Sequence, residues 1–155
     1  MNNFKINIAI VAATFFGSGK FPFASGTAGS IAALPVIWLI HSTLGASAVI
    51  AFAVILFFVG IWASAIYINV SGDNDPSPVV IDEVVGQAIA VSFLPIGLVE
   101  YSVAFVFFRI FDITKIWPAN WAEQRLKGGL AVMLDDVVAG LYAGVASLIL
   151  LRFIL

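Results

Sequence analysis

The chain has 155 residues, of which 62% are hydrophobic and 10% are charged, whereas soluble domains have about 45–50% and about 25%. The net charge of -2 gives no basic surface for nucleic acid, and the lack of cysteine excludes disulfides and thiol chemistry. The apolar runs have the lengths of membrane helices. We therefore expect one membrane-embedded domain over residues 1–155, with an all-α fold: a compact polytopic helical bundle with short or broken helices.

The first third of the chain predicts a short helix followed by a loop. Ile6–Phe16 would cover only about 16 Å of a bilayer core about 30 Å thick, so it is predicted either as a half-buried or re-entrant helix or as a helix that gains length by including Asn2–Lys5. Phe15–Ser30 holds four glycines and is predicted as a loop before the apolar segment Ile31–Ile40. Its Ser25–Ser30 part is either an ordinary helix cap or a phosphate cradle of free N–H groups.

The next segments predict a span and an exposed loop. His41, the sole histidine, is assigned to an interfacial loop, although a metal role stays open. Ala46–Val70 carries no charge and is long enough to cross a membrane. Ser71–Pro78 is predicted to be an exposed loop, and its aspartates Asp73 and Asp75 are interpreted as solvated turn residues.

Two pairs of adjacent acids interrupt apolar segments. Asp82 and Glu83 lie in a predicted helix over Val79–Leu94, and Asp135 and Asp136 lie near the start of a final span. A single acid could cap a helix or complement its dipole. Two adjacent carboxylates in apolar surroundings repel each other and lose hydration, which a divalent cation such as Mg²⁺ would offset. The pairs therefore predict a metal site.

A charged helix end lies between these pairs. Leu98–Lys115 is predicted to be a helix, and it places Arg109, Asp112 and Lys115 at intervals of three residues along one face. These residues either form an intrahelical ion pair with Lys115 reaching to the interface, or they present two cations to a phosphate. The following segment, Ala119–Lys127, is predicted to be an amphipathic piece in the interface.

The distribution of basic residues predicts the orientation. One side of the membrane can collect five of the seven, and by the positive-inside rule that side is cytoplasmic; they are Lys20, Arg109, Lys115, Arg125 and Lys127. The charged segments would then form an active site facing the cytoplasm. An alternative hypothesis is a small ion-coupled transporter, which would need the acids near the bilayer midplane.

Three segments together resemble the phosphatidylglycerophosphatase A family. They are FGSGKFPFASGTAGSIAALP from Phe16, VVIDEVVGQ from Val79, and FRIFDITKIWP with KGGLAVMLDDVVAG from Phe108. The resemblance implies a bacterial enzyme of the cytoplasmic (inner) membrane that hydrolyses phosphatidylglycerophosphate to phosphatidylglycerol and phosphate with Mg²⁺. This chain has Lys115-Ile-Trp-Pro118 where the family commonly has Lys-Pro-Trp-Pro, which affects the expected local backbone and no charged residue.

The resemblance also implies a set of site residues. The metal-binding acids would be Asp82, Glu83, Asp135 and Asp136. The catalytic set would add Arg109, Asp112 and Lys115 to those acids. The substrate-binding residues would be Gly26, Thr27, Gly29, Ser30, Arg109 and Lys115.

The residue inventory limits the mechanism and leaves the assembly open. With no cysteine and one histidine, attack by water is favoured over a phosphocysteine or phosphohistidine intermediate, while an aspartyl-phosphate stays open. The expected partners are the phospholipid substrate and membrane lipids, with no nucleic acid. The chain could act as a monomer or a homodimer.

Overall fold

The computed structural model describes residues 2–74, 76–117 and 126–154. These residues form six α-helices and a 3₁₀ turn at Ser18–Lys20, without any β-strand. The predicted all-α membrane bundle is therefore confirmed. The helices are α1 (Asn3–Ala13), α2 (Ser25–Leu44), α3 (Ala46–Ser71), α4 (Ile81–Ser92), α5 (Leu98–Thr114) and α6 (Gly129–Ile154).

Helix length divides the bundle into spanning and short elements. Helices α2, α3 and α6 are long and apolar enough to cross a membrane. Helices α1 and α4 have 11 and 12 residues, so at 1.5 Å per residue they cover only about 16–18 Å. The short helices expected from the sequence are present, and α4 is one of them.

Helix α4 lies at the centre of the bundle. It packs against α2, α3, α5 and α6, and eight of its twelve residues are buried. At Gly86 an added methyl group would overlap Phe108 of α5, and at Gly140 of α6 it would overlap the carbonyl oxygen of Gly86. The backbones of α4 and α6 are thus in direct contact, as small residues allow. This contact sets the first turns of α4 beside the start of α6.

Helix α2 begins earlier than the sequence predicted. Ser25–Ser30, assigned to a loop, forms the first turns of α2. The glycines there fit close neighbours, since a methyl group at Gly29 would overlap the Val80 side chain. The loop prediction failed because glycine also serves where another element packs closely against a helix.

One further local prediction was wrong. His41 lies in the last turn of α2, is 7% exposed, and has its Nδ1 atom 2.9 Å from the Tyr101 hydroxyl. It is not in an interfacial loop, because α2 continues to Leu44 before Gly45 ends it with φ +84°. The sequence left open whether the first acid of α4 caps the helix; Asp82 does not, since α4 starts at Ile81 and its N-cap is Val80. Asp75, Arg125 and most of the predicted interfacial segment 119–127 lie outside the described residues.

A candidate active site at one end of the bundle

Three carboxylates from two helices meet near one end of the bundle. Asp82 and Glu83 come from the first turn of α4, and Asp136 comes from α6. One oxygen atom from each lies within 4.8 Å of the other two. Carboxylates at a helix N-terminus are favoured by its dipole. The sequence predicted both acid pairs, and the α4–α6 contact brings one member of the second pair to the first.

These carboxylates have lost most of their water. Asp136 is 2% exposed, and Asp82 Oδ1 and Glu83 Oε2 are buried without a hydrogen-bond partner among the described residues. Burial raises the pKa of the Asp82 carboxyl well above its usual range, and the charge of Glu83 raises it further. Burial also raises the pKa of Glu83. A cation beside these carboxylates would offset this cost in their ionised form.

Arg109 supplies a cation beside this cluster. Its Nη1 atom is 2.5 Å from Asp112 Oδ2, within α5, and 4.0 Å from Glu83 Oε1. The intrahelical ion pair expected as one alternative thus exists, and it also faces the acids of α4. Asp112 also lies near Asp136 of α6. The carboxylates of this group outnumber its one guanidinium, so in their ionised form they carry excess negative charge that a divalent cation would neutralise.

A second ion pair lies at the end of α5. Lys115 Nζ is 3.1 Å from Asp135 Oδ2, and the Asp135 side chain is 12% exposed. Lys115 is the C-cap of α5 and has φ +44°, a left-handed conformation that is uncommon for a non-glycine residue. Asp135 therefore contacts a lysine, whereas Asp136, the next residue, joins the carboxylate cluster. The structure places three of the four expected metal ligands together and the fourth in this pair.

The start of α2 closes another side of the cluster. At Gly26 a methyl group would overlap Glu83 Oε1 and would lie 3.1 Å from Arg109 Nη1. Only glycine leaves room for both side chains in these positions. Ala24, the N-cap of α2, provides no side-chain hydrogen bond, so the first N–H groups of α2 have no side-chain cap. The Arg109 guanidinium lies beside the same first turn, next to Gly26. This is a favourable environment for an anion.

These residues surround an open cavity of about 690 Å³, within the size range of ligand-binding sites. All seven residues of the expected catalytic set line it. Of the expected substrate-binding loop, only Gly26 lines it. Thr27 is half-buried, and Gly29 and Ser30 are buried, with the Ser30 hydroxyl donating to the Gly26 carbonyl.

The cavity also contains polar residues that the sequence analysis did not select. They come from the start of α2, from the α3–α4 loop and from the segment before α6, and are Ser25, Asn74, Ser77 and Lys127. Ser25 and Lys127 stood inside segments already considered functional. Asn74 and Ser77 resemble any polar loop residues, so only the packing of their loop beside α4 identifies them.

The fold and the site define a class of protein. The chain is an integral membrane protein with three long apolar helices, and its charged cavity joins clustered carboxylates to cations of the kind that bind phosphate. This arrangement is typical of a membrane enzyme that acts on phosphate esters.

Comparisons with known proteins identify the family. Residues 11–151 match the family model described as phosphatidylglycerophosphatase A. The chain belongs to this family and is a phosphatase. It is 34% identical over 126 residues to phosphatidylglycerophosphatase A of Escherichia coli K12, covering 81% of this chain and 73% of that protein. The Haemophilus influenzae protein of the same name is 32% identical over 139 residues, covering 89% and 85%.

Another relative carries a different name. A protein of Bacteroides thetaiotaomicron, provisionally named a phosphatidylinositol-3-phosphatase, is 40% identical over 144 residues, covering 88% of this chain and 89% of that protein. No solved structure is significantly similar to the chain. The family membership supports a phosphatase over the transporter considered as the alternative.

Proposed function

We propose that the chain is a Mg²⁺-dependent lipid phosphatase that hydrolyses phosphatidylglycerophosphate to phosphatidylglycerol and phosphate. The observation that carries this proposal is the cluster of Asp82, Glu83 and Asp136 beside Arg109, in a charged cavity of an otherwise apolar bundle. The substrate likewise combines an apolar and a charged part, since its acyl chains lie in the bilayer and its terminal phosphate is anionic.

The acids of the cluster fit a magnesium ion. Mg²⁺ takes hard oxygen ligands and is commonly bound by one or two carboxylates together with substrate phosphate oxygens. Asp82, Glu83 and Asp136 would hold the ion. Asp82 Oδ1 and Glu83 Oε2, which have no hydrogen-bond partner among the described residues, are available as its ligand atoms. The bound ion would neutralise phosphate charge and lower the pKa of water for attack. Asp135 joins this charged group through its ion pair with Lys115.

The cations of the cavity would bind and stabilise the phosphoryl group. Arg109 can present a fork of N–H donors to phosphate oxygens, whereas Lys115 acts as a point charge. Asp112 holds the guanidinium of Arg109 in place. The N–H groups at Ser25 and Gly26 would donate to the same anion. Donors fixed before reaction stabilise the charge that develops during transfer.

Thr27, Gly29 and Ser30 contribute to this site through the backbone of α2. Gly29 accommodates Val80 next to the first turn of α4, and Ser30 bonds to the carbonyl of Gly26. We propose that these three residues shape the start of α2, and that its first residues, Ser25 and Gly26, contact the phosphate directly.

The cavity end of the bundle would face the cytoplasm of a bacterial inner membrane. Arg109, Lys115 and Lys127 line the cavity, and Lys20 lies in the turn whose Gly19 packs against Pro78 at the same end. Arg152 lies in the last turn of α6, at the other end of that helix. This asymmetry is the one that the positive-inside rule associates with a cytoplasmic face.

Phosphatidylinositol 3-phosphate is a second candidate substrate. The observation that favours it is the 40% identity to the Bacteroides thetaiotaomicron protein, over most of both chains. Both candidate lipids carry a phosphate monoester on a polyol headgroup, so the same cluster could act on either. The polar residues at the cavity, such as Asn74 and Ser77, would contact the part in which the two headgroups differ.

The test measures phosphate release by purified protein from each lipid, in Mg²⁺ and in EDTA. We expect Mg²⁺-dependent release, faster from phosphatidylglycerophosphate, and its loss in Asp136→Asn. Asp73→Asn removes an exposed acid that does not line the cavity, and it should keep wild-type activity. Release that persists in EDTA would contradict the metal dependence. No release from either lipid by folded protein would contradict the proposed activity.

A further inference from the structure

Gln87 is a fully buried polar residue in the apolar helix α4. Its exposed fraction is 0%, and neither Nε2 nor Oε1 has a hydrogen-bond partner among the described residues. Leaving a buried polar group unpaired costs about 1–3 kcal/mol, and the great majority of such groups in proteins are bonded to protein or ordered water. The amide of Gln87 therefore requires a partner beyond the described side chains.

Two other buried groups lack a partner for a simpler reason. The hydroxyls of Ser64 and Ser147 are buried and unpaired, but both residues lie inside helices. A helical serine can rotate its hydroxyl onto the carbonyl four residues earlier, as Ser30 does with Gly26. The Gln87 amide carries both a donor and an acceptor, and a carbonyl of its own helix could satisfy only the donor. Gln87 thus differs from the two serines.

The position of Gln87 relates it to the carboxylate cluster. It follows Glu83 by four residues, so the two side chains lie on the same face of α4, with Cβ atoms about 5–6 Å apart. Glu83 Oε2 is also buried and unpaired. Gln87 does not line the cavity, so it lies one turn deeper than the cluster. Two unsatisfied groups with complementary needs, an amide donor and a carboxylate acceptor, are therefore adjacent.

We infer that Gln87 is a positioning residue, whose amide holds the Glu83 carboxylate from beneath the cavity through ordered water. Water can accept from Nε2 and donate to Oε1, and buried waters typically make about three hydrogen bonds to polar groups of this kind. Because Gln87 does not line the cavity, we place it behind the carboxylates and not against a bound phosphate. This inference rests on the proposed metal site, since Glu83 is one of its ligands.

Groups that orient metal ligands have measurable effects, and their loss typically lowers metal affinity or activity by about 10–100-fold. Gln87→Met is the informative variant, because methionine keeps the unbranched shape and removes both polar atoms. We expect the Kd for Mn²⁺, measured by electron paramagnetic resonance on the full chain in detergent, to rise about 10–100-fold. The kcat for phosphate release should fall, while the KM for the lipid should change little.

Stability separates positioning from packing. Because methionine fills the same buried space with apolar atoms, the Tm of the metal-free protein should change little in Gln87→Met. A lower Tm with unchanged Mn²⁺ affinity would overturn the inference. The matched control is Ser147→Ala, which removes another buried unpaired polar atom about three turns beyond Asp136 on α6. It should leave Mn²⁺ affinity unchanged.

A conservative variant tests the amide itself. Gln87→Asn keeps the amide and leaves space for one more water, so its Mn²⁺ affinity should lie between those of the wild type and Gln87→Met. Equal losses in the two variants would show that side-chain length matters and the amide does not, which contradicts the inference. A wild-type protein that binds no Mn²⁺ would contradict the metal site itself. Mn²⁺ binding that is equal in wild type and Gln87→Met would contradict the role of Gln87 alone.

Discussion

Gly26→Ala should reduce activity strongly while leaving the fold intact. The added methyl group would overlap Glu83 Oε1 and approach Arg109 Nη1 to 3.1 Å. Gly26 lies in the first turn of α2, and its φ is outside the left-handed region, so alanine fits the backbone. Alanine also favours a helix by up to about 1 kcal/mol relative to glycine. The strain therefore falls on the carboxylate and guanidinium groups.

The size of the effect follows from this displacement. Turning the Glu83 side chain away from its preferred rotamer costs about 0.5–1.5 kcal/mol, which the folded protein can tolerate. The turned carboxylate no longer points into the cluster of three acids. A misplacement of about 1 Å at a catalytic site can cost about 100-fold in rate. We therefore expect kcat/KM to fall about 100-fold, with a Tm within a few degrees of wild type.

Gly29→Ala is the matched control, since it makes the same change one turn further along α2. Its methyl group would overlap Cβ of Val80, an atom fixed to the backbone, so relief requires movement of a helix. Overpacking of this kind costs about 1–3 kcal/mol. Thermal unfolding and phosphate release, measured on both variants, should show mainly a stability loss in Gly29→Ala and mainly an activity loss in Gly26→Ala. Full activity in Gly26→Ala, or an equal fall in its Tm, would refute this reasoning.

Three further predictions concern packing, the second ion pair and pH. Gly140→Ala should lower the Tm more than Gly26→Ala does, because its methyl group meets the backbone oxygen of Gly86, which cannot rotate away; an unchanged Tm would contradict the α4–α6 contact. Lys115→Met should slow phosphate release and leave Asp135 without this cation, whereas the double variant with Asp135→Asn should regain stability in thermal unfolding but not activity. The metal-free protein should become less stable as pH rises from about 4 through the raised pKa values of the two first-turn acids of α4. Stability falls because, over this pH range, the folded state binds more protons than the unfolded state. Thermal unfolding in EDTA should show a Tm that falls with rising pH, and saturating Mg²⁺ should reduce this fall.

The sequence by itself determined the membrane class and predicted the acids of the candidate site. Apolar runs of spanning length are visible in the sequence itself. They predict helices because every backbone polar group in lipid must form its hydrogen bond within the protein. The pairs Asp82–Glu83 and Asp135–Asp136 stood out because adjacent carboxylates are costly in apolar surroundings. Local patterns suffice for these conclusions, since they concern what each segment can tolerate.

Only the tertiary structure decided which groups meet. Asp135 and Asp136 are neighbours in sequence, yet they point about 100° apart on α6, so one pairs with Lys115 and the other joins the acids of α4. Similarly, Gly26 began as a loop residue by composition and proved to lie at the start of a helix. Glycine is needed at this position because the carboxylate of Glu83, from a distant segment of the chain, lies against it. Contacts between distant segments depend on how whole helices pack, and the direct backbone contact between α4 and α6 fixes this site.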